Sequence, residues 1–148
     1  MLRKNFSQMG LPDGYILERD KPPTPIALNR LLARSQQLTY SQKKLALALE
    51  RSVLLLSIFE KEKGNLAGFV RATTDNGLNV NLWNLSAKPG ENQGDLLKVL
   101  VNRSLFILRR EFPGCSISVS APLITLKALE DQGFLIDPGG IRAMGLRL

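Results

Sequence analysis

The sequence predicts one α/β domain, a mixed sheet with helices packed on it, and three observations carry that class. Apolar residues change along the chain from helical spacing to strand alternation and back. Three strand-like segments between residues 53 and 85 are separated by the charged turn Glu60-Lys61-Glu62-Lys63-Gly64-Asn65 and by Asp75-Asn76-Gly77. A long amphipathic repeat over residues 95–111 follows them, with Leu97, Leu100, Val101, Leu105 and Leu108 on one stripe and Arg103, Arg109 and Arg110 off it. A chain of 148 residues has room for one core and buries roughly 68–70% of its unfolded surface.

Residues 1–14 read as a polar, flexible arm that ends in Leu11-Pro12-Asp13-Gly14, with the domain spanning residues 15–148. A first strand is expected at residues 15–18. Lys21-Pro22-Pro23-Thr24-Pro25 then supplies a stiff connector, Thr24 as a helix cap and Pro25 in the first turn, with Leu28, Leu31 and Leu32 as the apolar stripe. Ser41 opens a second helix that places Leu45, Ala48, Leu49 and Ser52 on one face. The run at residues 53–59, then residues 66–72, then residues 78–85 read as three antiparallel strands, with Leu78, Val80 and Leu82 sharing a face and Asn79, Asn81 and Trp83 the other. After the 95–111 helix, Pro113-Gly114 ends it, residues 115–121 read as a strand, residues 122–132 as a helix capped by Gly133, and residues 141–148 as a last strand. No internal repeat or second domain is visible.

Composition removes several chemistries. There is no histidine, which excludes Ser-His-Asp and Cys-His catalysis and histidine metal sites, and the single Cys115 excludes an internal disulfide and a cysteine zinc cluster, so no metal site is expected. No apolar run approaches the roughly 18 residues of a membrane span, and the first nine residues lack the apolar stretch of a secretory signal, which points to the cytoplasm. A net charge of +7 suits an anionic ligand or simply a solvated surface.

This order of elements resembles that of the GNAT superfamily of acyl-coenzyme A-dependent N-acyltransferases. Leu66-Ala67-Gly68-Phe69-Val70 is similar to the family's third-strand pattern, Ala87-Lys88-Pro89 lies where its fourth strand ends, and residues 126–134, ending in Gly133-Phe134, resemble its closing helix. The resemblance implies a sheet of about six to seven strands flanked by about four helices. It also implies acetyl-CoA as cosubstrate, a primary amine of a small molecule or protein as acceptor, and no metal. Backbone groups of Leu85 and Ala87 would bind pantetheine, and amides around Asn92, Gln93, Gly94 and Asp95 the pyrophosphate.

The chain departs from the family pattern at several positions. Counted from Pro89, Asn92 stands in place of the basic or amide residue, and Asp95 and Leu97 in place of glycines. Glu91 and Asp95 add negative charge beside a pyrophosphate unless Lys88, Lys98 or an arginine compensates. Leu129 occupies the tyrosine position and Pro122 the neighbourhood of an asparagine. Asn79 and Asn81 are then the candidate water-positioning groups and Trp83 a candidate acceptor contact, against a reading in which all three belong to a solvated sheet face. Cys115 reads as a core residue or as a stand-in acid. Two functions stay open: an N-acetyltransferase, and a non-catalytic GNAT-like module that binds a protein partner or senses a ligand. Nucleic-acid binding lacks aromatic platforms and a motif, and exposed strand edges leave room for a homodimer.

Overall fold

β1 (Tyr15–Arg19) pairs antiparallel with β2 (Leu54–Glu60), and the chain between them forms α1 (Pro25–Arg34) and α2 (Gln42–Glu50). The structure, a computed structural model, describes residues 9–148. Both helices begin where sequence chemistry places them. The Thr24 hydroxyl accepts from the Ala27 amide with Pro25 following, and the Ser41 hydroxyl accepts from the Lys44 amide.

β3 (Leu66–Thr74) and β4 (Asn79–Ala87) complete an antiparallel meander. The turn between them is fixed by Asp75, whose carboxylate accepts from the amides of Gly77, Leu78 and Asn79, and these donors hold its carboxyl below the usual range. α3 (Gln93–Glu111) crosses back over the sheet, β5 (Ser116–Val119) adds parallel to β4, and α4 (Leu126–Glu130) follows a 3₁₀ turn. The strand order is β1-β2-β3-β4-β5.

Each sheet face carries its own core. Leu54, Leu56, Ile58, Val70, Leu82, Leu96, Leu97 and Leu100 fill the layer under α3 and α4, and Leu28, Leu31, Leu32, Leu45, Leu49 and Phe69 fill the layer under α1 and α2. Gly68 sets the spacing of the first layer. A Cβ there would stand 3.2 Å from Leu100 Cδ1 and 3.3 Å from Ile58 Cδ1, so the missing side chain lets α3 settle on β3.

Four expectations are corrected. The sheet has five strands among the described residues, where six to seven were expected. Residues 141–148 form no strand; Ile141, Arg142 and Ala143 border a cavity of about 390 Å³ whose other walls include β5 and α4. Among the described residues β5 pairs with β4 alone, so the segment makes no ladder with it, and its Ile141, Met144 and Leu146 stay exposed. The helix expected over residues 122–132 contracts to the five-residue α4, because the backbone amide and hydroxyl of Thr125 both turn back to the Pro122 carbonyl. Leu78 belongs to the Asp75 turn and is 79% exposed, while Val80 and Leu82 face the core as predicted.

Of the predicted arm, residues 1–8 lie outside the described residues. Met9 donates its amide to Asn102 Oδ1, and Leu11 packs against the core under α3.

Candidate functional site

The parallel strands β4 and β5 share only a short ladder, whose last pair is Leu82–Val119. Just beyond it the pairing of β3 with β4 shifts between Phe69 and Arg71, and Asn84 adopts a left-handed φ of 57°. A side-chain-bearing residue in that region is strained backbone at the point of a bulge. The consequence is a gap on the β5 side of residues 83–87 of β4.

The backbone on that edge can be assigned. Lys88 N donates to Ala67 O at 2.8 Å, so residues 86 and 88 turn their backbone groups toward β3 and Ala87 turns its own outward. The outward carbonyls are engaged by the segment joining α1 to α2 and by the first residue of α3. Gln37 Nε2 donates to Leu85 O at 3.0 Å, Ser35 Oγ to Ala87 O at 3.1 Å, and Gln93 Nε2 to Ala87 O at 3.0 Å. The Leu85 and Ala87 side chains are buried in the core under α3.

At the end of the gap stands the N-terminus of the 19-residue α3. Asn92 makes no side-chain cap; its amide group donates to the Tyr15 hydroxyl at 3.3 Å, so the amides of Gly94 and Asp95 keep the helix dipole uncapped. Gly94 is exposed, with nothing within 4 Å of an added Cβ. The cations expected to offset Glu91 and Asp95 are committed elsewhere. Lys88 pairs with Glu60 and lies over the Tyr15 ring, and Lys98 pairs with Asp131 at 3.4 Å. The Lys88 hydrogen bond pulls the Glu60 carboxyl below its usual range, and the same bond raises the Lys88 ammonium.

The face of β4 under α1 and α2 carries the predicted polar residues. Asn79 donates to Ser116 and Ser118, and Asn81 donates to Ser118 Oγ at 2.9 Å, so both amides tie β4 to β5. Asn81 Oδ1 is buried and has no hydrogen-bond partner among the described residues, which leaves an acceptor two residues before the gap. Trp83 sits at the gap itself, with Nε1 on Thr73 Oγ1 at 2.8 Å.

Sequence reasoning passed over Arg71. Its guanidinium lies over the Trp83 ring with 5.7 Å to the centroid and donates from Nε to Asn84 Oδ1 at 2.7 Å. Burial holds it below its ordinary value. Together with Tyr40, Lys44, Leu45 and Ala48 these residues line a cavity of about 210 Å³. An arginine alternating with Phe69 and Thr73 on a central strand was the available signal.

The position where the family resemblance expects a tyrosine is core. Leu129 is 2% exposed and packs under α3. Cys115 packs at the margin of the same core, with Sγ 3.3 Å from Gly77 O. Of the two tyrosines, Tyr15 belongs to the α3 end and Tyr40 to the Arg71 cavity.

A meander, a parallel fifth strand parting from the fourth at a bulge, and an uncapped helix N-terminus at the end of the parting define the GNAT acyltransferase class. The comparisons with known proteins agree. Over 146 residues the chain is 30% identical to the protein named uncharacterized N-acetyltransferase ycf52 in Porphyra purpurea, covering 97% of this chain and 83% of that one. It is 32% identical over 104 residues to its Pyropia yezoensis namesake, covering 69% of this chain and 59% of that one, and 29% identical over 110 residues to a Glycine max protein named histone acetyltransferase TAP1, covering 68% and 47%. No protein-family profile matches the chain. Among solved structures, a probable acetyltransferase of meticillin-resistant Staphylococcus aureus aligns at TM-score 0.75 with 14% identity over 90% of this chain and all of that one. A GNAT family acetyltransferase of Streptococcus pneumoniae aligns at 0.64 with 13% identity over 90% and 97%. The chain belongs to the GNAT superfamily of N-acetyltransferases.

Proposed function

We propose that this chain moves an acetyl group from acetyl-CoA to a primary amine, working mainly by positioning. The observation that carries the reading is the gap beyond Leu82–Val119, with the uncapped start of α3 at its end. The donor set fits a pyrophosphate through backbone amides of Gly94 and Asp95, although the carboxylates of Glu91 and Asp95 weaken that fit. Acetyl-CoA supplies the activated thioester.

In the transfer the amine nitrogen forms the C–N bond, the C–S bond breaks, the amine gives one proton to water and the departing thiolate takes one. The chain's own groups suited to these tasks are Asn81 Oδ1, which can hold a water near the gap, and the hydroxyl of Tyr40, a residue that lines the cavity bordered by Trp83. Trp83 would form the wall against which the acceptor packs.

One observation favours the alternative of a non-catalytic, ligand- or partner-binding module: the carbonyls of Leu85 and Ala87 are already hydrogen-bonded by Ser35, Gln37 and Gln93. Calorimetric titration with acetyl-CoA separates the two. Micromolar binding that persists at physiological salt supports the transferase. Gly94→Trp is the matched control, since open space around Gly94 accepts the side chain without disturbing the core while screening the α3 amides. Folded protein that binds no acetyl-CoA overturns the transferase reading.

A further inference from the structure

The cavity beside the β4 bulge contains a cation without a counter-ion. Among the described residues no carboxylate forms an ion pair with Arg71, and none lines the cavity. Among the described residues its one hydrogen bond to a side chain uses Nε, on the neutral Asn84, and its plane is steadied by Trp83. The Nη1 and Nη2 fork, the part of a guanidinium that matches a carboxylate, is therefore left for a ligand. Lys44 on the same wall adds a second positive charge.

Taking a guanidinium partly out of water without an anion costs free energy, and a fold that holds one so firmly has a reason in what arrives there. The strained φ of Asn84 points the same way, because the residue that fixes the guanidinium is itself held in sparsely populated backbone. A volume of about 210 Å³ lies below the roughly 300–1,000 Å³ of pockets for drug-sized ligands and suits a smaller one. Trp83, shared by the cavity and the gap, would put a group bound here next to the thioester.

We propose that Arg71, aided by Lys44, binds the carboxylate of a small amino-acid-like acceptor and presents its amine at the gap. This rests on the acyl-transfer reading for its meaning but not for its test. Trp83 is the only tryptophan in the chain, so its fluorescence reports on this cavity directly.

Titration of the full chain with N-acetylalanine, which models a product, is compared with N-acetylalaninamide, which lacks the charge. A saturable change is expected with the carboxylate, about tenfold or more weaker with the amide, in keeping with a charge-assisted pair. Arg71→Gln should equalise the two ligands, Arg71→Lys should keep part of the preference, and the exposed Lys44→Ala should weaken the carboxylate a few-fold in a chain whose core is untouched. Equal responses in the native chain, or a preference that survives Arg71→Gln in folded protein, would overturn the proposal. So would a response to a glutamate-rich peptide alone, which would assign the pocket to an acidic protein face. Acetyl-CoA titration of the same samples keeps the two readings apart: carboxylate preference without coenzyme binding removes the transferase and leaves the pocket, and coenzyme binding without the preference does the reverse.

Discussion

The meander and the chain after β5 are both rich in large apolar residues, yet they end in opposite environments. Leu54, Leu56, Ile58, Leu82 and Leu100 lie at 0–1% exposure between the sheet and α3, whereas Leu135, Ile141, Met144 and Leu146 lie at 75–97%. The difference is a second layer. A strand face becomes core only when a helix covers it, and residues 135–148, beyond the half-buried Phe134, are exposed and join no ladder among the described residues.

The sharpest test of that contrast is a matched pair of truncations followed by chemical denaturation. Leu100→Ala should cost about 2–5 kcal/mol, since it opens a void beneath α3, and Met144→Ala should stay within about 0.5 kcal/mol. A comparable loss from both would mean that the C-terminal segment is covered in solution. Next in size, Gly68→Val forces Leu100 and Ile58 apart and should cost about 1–3 kcal/mol, visible as a lower midpoint at unchanged slope.

Asp95→Asn removes a negative charge from the first turn of α3. Acetyl-CoA should bind about two- to fivefold more tightly at low salt, with the gain shrinking as salt rises. The smallest expected effect concerns the pair that bridges β2 to the β4–α3 loop. Because the folded Glu60 carboxyl lies below its ordinary value, its stabilisation is present above the normal carboxylate range and fades as pH falls through the folded value. Lys88 lies above its ordinary value, so its share is present below the normal lysine range and fades as pH rises through the folded value. Glu60→Gln should therefore lower stability at neutral pH, by less than about 1 kcal/mol, with the deficit vanishing in acid.

What the sequence made legible is what short-range chemistry decides. Thr24 and Ser41 cap their helices, Asp75 ties its own turn, Gly133 takes a φ of 98° after α4, and the 3.6-residue stripe of α3 faces the sheet. The order of elements that led to the family is a sum of such local signals. The candidate site could be read from the sequence only where it coincides with them, at the start of α3 and along β4. Arg71 meets Asn84 across two strands only because the bulge turns Asn84 inward, and Ser35 and Gln37 reach carbonyls 52 and 48 residues away. Neither contact has a spacing that a one-dimensional pattern could show. The expected last strand failed for the same reason, since alternation specifies a face but not the neighbour that must accept its hydrogen bonds.

The hydrogen bonds from Ser35 and Gln37 to the edge of β4 also bear on time. A side chain tethered a few bonds from its acceptor competes at a high effective concentration with anything arriving from solution. If pantetheine uses the Leu85 and Ala87 carbonyls, the α1–α2 connector must let go first. In rapid mixing, the observed rate of acetyl-CoA association should then level off at the opening rate of the connector instead of climbing with coenzyme concentration, and removing both donors with Ser35→Ala and Gln37→Ala should lift that ceiling.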